Sequence, residues 1–384
     1  MIRMFTACTE EVDDADSAVA EILEQIDVSR LSAESAGILF CHYEFIETDL
    51  IREICSRLPF EVIGMTSMAG ASDERFGTFV LSLAVLTSDD VSFRTAVTVP
   101  LTAGNTAEAM TAAYNEARAK LPGDPAMVIS FFPFLSDISS ADILKQLDIA
   151  CGGAPVWGSV ASGMDMSYDH ARTIHNGQDY EKNVTLLLLH GPVDPEFIVN
   201  SIPDRNIGYR RVVITESDGC VLKKVNDVPL MEYFDETGIV MRIGQDNTTV
   251  PLMVDYGDGS KPVAVAIYGL TPENWAVCGG EMPEGASFFC GEIDMEGIVE
   301  SAEDALKRIL DMNRKNGLLM LPCVTRYIML TPDQEEEMKL TRKLIGGKIP
   351  YTLGLSGGEI CPVKDRNGKW QNRHHNFTFS ACLF

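Results

Sequence analysis

Short, continuous apolar runs punctuate the chain, and between them apolar residues recur at helical spacing. Met127 to Phe132 (MVISFF) and Val184 to Leu189 (VTLLLL) read as strands buried on both faces. Val91 to Val99 is rich in alternating and β-branched residues and predicts a strand that precedes them. Asn105 stands as the N-cap of a helix whose inward stripe is Ala109, Ala112, Ala113, Ala117 and Leu121, and Leu-Pro-Gly ends it. Ser139 or Ser140 caps a second helix, with Ile143, Leu144 and Leu147 facing in. A glycine-rich turn, WGSVASG from Trp157 to Gly163, and a polar loop then lead to the last strand. The predicted unit is strand, helix, strand, helix, turn, strand.

The same order recurs twice. At the start of the chain, strand Arg3 to Cys8 and helix Asp14 to Ile26 precede strand Gly37 to Cys41 and helix Glu47 to Leu58. The turn there is IGMTSMAG (Ile63 to Gly70), and Thr78 to Leu86 is the returning strand. Towards the other end, strand Ser287 to Ile293, a helix from about Gly297 to Asn316 and strand Leu318 to Val324 succeed one another. A helix from Asp333 to Ile345, the turn LGLSGGE (Leu353 to Glu359) and strand Phe377 to Phe384 complete that unit. Asn183-Val-Thr and Asn376-Phe-Thr introduce the last strand in two of the three copies. Internal repetition of this kind identifies the supersecondary unit even where letters diverge.

Ile202 to Gly285 departs from the pattern. It is β-rich, with turn signals at Ser217-Asp-Gly, Gly257-Asp-Gly and Thr271-Pro, and holds one short helix near Pro229 to Phe234. The expected fold class is therefore α/β, with layered mixed sheets in two domains. Residues 1–225 carry two units, about 2–88 and 91–191; residues 226–384 carry the β-rich segment and a third unit from 286 to 384.

Composition narrows the function classes. Hydrophobic residues are 46% and charged residues 23% of the 384, as in a globular chain. Thirty-one Lys and Arg face 56 Asp and Glu, a net charge of −25, which disfavours phosphate-rich partners. Nucleic acid is not expected as a partner. No apolar run approaches the ~20 residues that span a bilayer, and the N-terminus lacks the apolar core of a signal peptide. Ten cysteines are scattered without CxxC spacing. The expectation is a cytoplasmic chain with reduced thiols and no membrane insertion.

Several residues invite a chemical reading. GLSGG (Gly354 to Gly358) matches the nucleophile-elbow pattern, with Ser356 as nucleophile and His374 or His375 as base. The next stretch of chain, GEICPVKDRNGKW, reads as a hairpin turning at Asn367-Gly368, whereas an elbow requires a helix behind the serine. The other two turns carry Thr66 and Ser67, or Ser159 and Ser162, at equivalent places, which points to architecture or binding rather than catalysis. No catalytic residue is assigned. Cys361 remains an alternative nucleophile for a hydrolase or transferase.

Glycine turns let backbone amides approach a ligand, and hydroxyls add adaptable hydrogen bonds. The expected binding residues are Ser356, Gly357, Gly358, Glu359, His375, Asn376, Ser159 and Ser162, with Glu359 holding an ammonium and His375 a carboxylate. His374 and His375, being adjacent on a strand, point to opposite faces, and the other histidines show no ligand spacing. No metal ligand and no cofactor is assigned, with a haem or metal sensor as the remaining alternative.

Four stretches taken together resemble the FIST family, an N-terminal and a C-terminal FIST domain in tandem. They are VITESDGCVLKKVNDVPLMEYF (Val213 to Phe234), VPLMV (Val250 to Val254), MPEGASFFCGEID (Met282 to Asp294), and GLSGGEI with the later HNFTF (Gly354 to Ile360, His375 to Phe379). The sequence departs from the family at PVAVAIYG (Pro262 to Gly269), where an arginine is expected at the start of a strand. The resemblance implies a bacterial signal-transduction module that senses a small ligand such as an amino acid. It also implies an output through a separate signalling protein, because no transmitter segment is recognised in the chain.

Overall fold

The computed structural model describes residues 1–73, 75–241 and 250–384. It is a mixed α/β protein, two-domain in layout along the chain. The first two units come first, then the edge strand of the third, then the β-rich segment, and the rest of the third unit follows.

Each unit builds the same sheet. In the first, Arg3–Thr9 pairs antiparallel with Leu81–Ser88, which pairs antiparallel with Glu34–Cys41, and Glu61–Thr66 lies parallel beyond it. The second repeats this order with Ser92–Val97, Thr185–His190, Met127–Phe132 and Val156–Val160. The third repeats it with Glu196–Asn200, Phe379–Leu383, Leu318–Pro322 and Tyr351–Gly354. The alternation along the central strands divides their side chains between two layers. Ile38, Phe40, Ile129, Phe131, Leu319 and Leu321 face a core common to all three sheets. The intervening residues, such as Leu39, Val128 and Met320, pack beneath the unit's own helices.

After its third strand each unit sends out a hairpin that joins another unit's sheet. The hairpin of the first, Gly70–Ser72 with Phe76–Gly77, extends the third sheet beside Tyr351–Gly354. That of the second, Thr173–His175 with Gln178–Tyr180, extends the first beside Glu61–Thr66. That of the third, Glu359–Lys364 with Trp370–His375, extends the second beside Val156–Val160. The exchange closes a ring of three.

The β-rich segment forms a fourth sheet of seven strands in path order, with an eighth short strand beside Val221–Val225. Its core is formed by Val212, Leu222, Phe234, Leu252, Val265 and Phe288. Its two terminal strands, Val263–Val265 and Ile267–Leu270, are separated by Ala266 alone, so the sheet curls back on itself. A smaller cluster, including Ile202, Met253, Ala264, Ala266, Ile298 and Phe377, joins the segment to the third unit.

Three local expectations change. The strand expected at Ser287 to Ile293 is Ser287–Cys290, and it pairs inside the fourth sheet rather than opening the third unit. Glu196–Asn200 occupies that edge by pairing with Phe379–Leu383, a partner some 180 residues away that local pattern does not reveal. The helix expected over Glu47 to Leu58 is two pieces, Glu44–Glu47 and Leu50–Ser56, separated at Asp49 with φ 60°. Asn105 stands at the N-cap position but turns its side chain to Thr102 N (2.7 Å) and the Pro100 carbonyl (3.0 Å). Ser139 does cap, accepting from Asp142 N at 3.0 Å.

Candidate functional site

The parallel strands of the three units end at turns that meet one another. Thr66 Oγ1 donates to the Ser162 carbonyl (2.7 Å), and Ser162 Oγ donates to the Leu355 carbonyl (3.0 Å). Leu355 N donates to Ser67 Oγ (2.6 Å), closing the circuit, and Met68 N donates to Ser162 Oγ (3.2 Å). The hydroxyls of Ser159 and Ser356 lie 2.8 Å apart, and Gly358 N donates to Ser356 Oγ at 3.0 Å. Ser159, Ser162 and Ser356 are all buried. Gly357 is required by closeness: a Cβ there would stand 2.8 Å from the Ala161 carbonyl oxygen.

Ser356 thus sits between strands Tyr351–Gly354 and Glu359–Lys364, with no helix behind it. Its carbonyl accepts from Val324 N (2.8 Å) and its amide donates to the Pro322 carbonyl (2.8 Å), so the turn is anchored on both sides. Burial pushes the Cys361 thiol up to about 12, which leaves it protonated at neutral pH.

Glu359 and His375 face each other across the third hairpin. Glu359 Oε2 accepts from Thr378 Oγ1 (2.6 Å) and Thr378 N (3.1 Å), while Oε1 has no partner of normal geometry. Burial is the largest influence on this carboxyl and raises it to about 8, against smaller opposing contributions from Thr378, Ser356 and Cys323. His375 Nε2 lies 3.0 Å from the Cys361 carbonyl, a contact that makes it the protonated ring nitrogen, and burial lowers the ring to about 4. Asn376 is a clasp onto the β-rich segment. Its amide donates to the Ala264 carbonyl (2.8 Å), Oδ1 accepts from Ala266 N (2.9 Å), and Nδ2 donates to Tyr268 OH (2.8 Å).

One turn away a polar cavity of about 100 Å³ opens at the seam between the second unit and the β-rich segment. Helix Ser140–Ala150 lines it with Lys145 and Asp148, the outer strand of the third hairpin with Asn372, Arg373 and His374, and the β-rich segment with Tyr256 and Glu281. Asn372 Nδ2 donates to Asp148 Oδ1 (2.6 Å) and its Oδ1 accepts from Val156 N (2.8 Å), which fixes the strand against the helix. Arg373 lies 4.2 Å over the Tyr256 ring and bonds Asp258 Oδ2 at 2.7 Å. Tyr256 OH donates to the Glu281 carbonyl (3.1 Å), and Lys145 Nζ reaches Glu281 Oε1 at 3.1 Å.

Among the buried atoms here Arg373 Nε has no acceptor, and the His374 ring nitrogens have no hydrogen bond of normal geometry, although the ring lies against the Gly279 backbone. Burial holds His374 down at about 3, so the ring is neutral at physiological pH, with one donor and one acceptor nitrogen. The ring rests on Gly358: a Cβ added there would come within 2.5 Å of Nε2. The third glycine turn and the cavity are therefore contiguous. The sequence signal for this place is the pair of adjacent histidines. Lys145, Asp148, Tyr256, Glu281 and Arg373 come from three distant segments and carry no motif. Among the described residues no group of three or more His, Cys, Asp or Glu is arranged to hold a metal ion, and no helix is long and apolar enough to cross a membrane.

Comparison with known proteins places these features in a family. The FIST N domain model matches residues 35–228 and the FIST C domain model residues 232–362. No curated protein matches the chain. Similar solved structures include a cyanuric acid hydrolase at 9% identity and TM-score 0.37, covering 100% of this chain and 98% of that one. Another is the cyanuric acid hydrolase from A. caulinodans, at 9% identity and TM-score 0.38, covering 100% and 99%. Likeness at this level carries no argument about activity. The two domain models together span most of the sequence, and the chain belongs to the FIST family, with FIST N and FIST C domains in tandem.

Proposed function

We propose, on the basis that FIST domains are small-ligand sensor domains in signalling, that this chain is a bacterial, cytoplasmic sensor that binds a small polar metabolite such as an amino acid and reports its presence to a separate signalling protein. The observation that carries this reading is the polar seam cavity, on which Lys145, Asp148, Tyr256, Glu281, Asn372 and Arg373 converge from three segments of the chain. A small concave site with convergent polar groups can orient a small polar ligand. Ser159, Ser162, Ser356, Gly357 and Gly358 form the rigid floor beneath His374 in this reading, and Glu359, His375 and Asn376 tie that floor to the hairpin and the β-rich segment.

Because Tyr256 and Glu281 belong to that segment, the ligand bridges the proposed FIST N part (1–225) and FIST C part (226–384). It selects the docked arrangement by binding it more tightly than a loosened one. Ser356 is buried and bonded on every side, so no observation favours a hydrolase.

The test is a melting-temperature screen of the full chain against amino acids and small polar metabolites. A ligand at about 100 times its Kd adds about 2.7 kcal/mol to native stability, a readily measured shift. Arg373→Gln and His374→Ala are expected to remove the shift while the variants still unfold cooperatively. A ligand whose affinity ignores both substitutions refutes this location.

A further inference from the structure

The connection from the last parallel strand to the exchanged hairpin differs among the three units. It takes three residues in the first, 67–69, and four in the third, 355–358, but twelve in the second, 161–172. Both ends of the long connection are fixed by the first unit. Ser162 N donates to the Thr66 carbonyl (3.2 Å), and Arg172 N donates to Thr66 Oγ1 (2.8 Å). Between these anchors the chain turns on bonds of its own: Ser167 N to Asp165 Oδ1 (2.8 Å), Asp169 N to Ser167 Oγ (3.2 Å) and Ala171 N to the Tyr168 carbonyl (3.0 Å). Met164, Asp165, Ser167 and Asp169 are exposed. Two units pass from strand to hairpin with a few residues, so the extra length of the second is not needed for the passage. Compact surface loops of this length are frequently functional.

What the extra length does is carry one ring over the place where the turns meet. Tyr168 is left-handed at φ 61°, a conformation uncommon for an aromatic residue. Its ring lies along Phe134, with 4.2 Å between centroids and 15° between planes. The ring edge meets the third glycine turn: a Cβ at Gly357 would stand 2.8 Å from Tyr168 Cε1. The close approach expected of a ligand at this glycine is made in the structure by Tyr168. Phe134 follows strand Met127–Phe132 and Gly357 follows strand Tyr351–Gly354. The ring therefore rests at the carboxyl ends of parallel strands, where α/β sheets commonly bind ligands.

We propose that residues 163–171 are a lid, and that the place filled by the Tyr168 ring, between the face of Phe134 and the backbone of Gly357, is a binding site for a small aromatic ring. Its walls are a stacking face and a stretch of backbone without side chains, which favour a flat ring of the size of a phenol. Tyr168 occupies the site while the lid is closed, and a ligand ring exchanges with it. The site is separate from the seam cavity, whose His374 rests on the neighbouring Gly358, and does not depend on a ligand binding there.

The probe is p-cresol, the side chain of tyrosine as a free molecule, titrated calorimetrically into the full chain. Tyr168→Gly removes the ring and suits the left-handed backbone, so it leaves the site open. A lid open in about a tenth of the molecules or fewer makes the unmodified chain bind p-cresol at least about tenfold more weakly than Tyr168→Gly. Adding Phe134→Ala to that variant removes the stacking face and is expected to weaken p-cresol about tenfold. In the unmodified chain, saturating p-cresol holds the lid open. The Ala171 amide, bonded to the Tyr168 carbonyl, should then exchange its hydrogen about tenfold faster, with Met127–Phe132 unchanged. Absence of binding by Tyr168→Gly, or binding that ignores Phe134→Ala, overturns the site. Exchange at Ala171 that p-cresol leaves as it was makes Tyr168 a fixed plug and overturns the lid, and this measurement decides even where Tyr168→Gly fails to fold.

Discussion

Glu359 holds one oxygen against Thr378 and leaves the other buried without a partner of normal geometry, and its neighbours supply no cation to balance a negative charge. In the native protein it keeps its proton to about pH 8, whereas an unfolded glutamate loses it near 4.5. Between those values the folded state binds more protons than the unfolded one, so stability falls as pH rises, by about 1.4 kcal/mol for each pH unit. His374 and His375 act with the other sign. Their folded values of about 3 and about 4 lie below the usual 6.5, so their contribution is lost as pH falls beneath 6.5. The window from pH 6.5 to 8 isolates Glu359. Glu359→Gln keeps the shape and an acceptor for Thr378, and it is expected to flatten the stability loss across that window. Urea unfolding of both proteins at pH 6.5 and 8 measures this, and parallel losses would contradict the assignment.

The third hairpin is the element on which the site depends. One strand runs out from the glycine turn, the other returns with Asn372, Arg373 and His374, and its end, at Asn376, clasps the β-rich segment. The hairpin itself is legible from Asn367-Gly368 between extended runs, and that is what counts against an elbow at Ser356. Its pairing partner is not legible. A strand's own pattern states that it is buried on one or both faces, not which edge it meets. Asn376→Ala removes the acceptor for Ala266 N and the donor to Tyr268 OH, leaving a buried amide unpaired at a cost of about 1–3 kcal/mol. The expected outcome is earlier hydrogen exchange in Ala264 to Tyr268 than in the central strands Met127–Phe132 and Leu318–Pro322. Uniform acceleration across all of these segments would show that the clasp serves the whole fold rather than one junction.

At the scale of the molecule, the exchange of hairpins makes the three units mutually dependent. Residues 1–191 on their own would retain the first sheet with its borrowed hairpin, because Thr173–Tyr180 lies within them. They would leave Val156–Val160 as an open edge and the Gly70–Gly77 hairpin without the sheet it joins. The common core would also lose Leu319, Leu321, Cys361 and Cys382. An open edge and an uncovered apolar face favour association. The fragment is expected to elute as oligomers and bind a hydrophobic dye, and mixing with residues 192–384 should reduce both. A monomeric, cooperatively melting fragment would mean that the exchange is not needed for stability.

Sequence alone determined what depends on near neighbours. Most strands and helices and the threefold recurrence come from periodicities of a few residues, and Met127–Phe132 is the strand that its apolar run predicts. The crowding of small hydroxylated residues at three turns is visible too, although their bonding to one another is not. Tertiary structure alone decided what depends on pairing across long separations. It set Glu196–Asn200 rather than Ser287–Cys290 at the edge of the third sheet, closed the hairpins into a ring, and brought Lys145, Tyr256 and Arg373 to one cavity. The physical reason is that hydrogen-bonded edges and buried charges are satisfied by whichever partner the fold brings near, and a linear pattern encodes the need but not the partner.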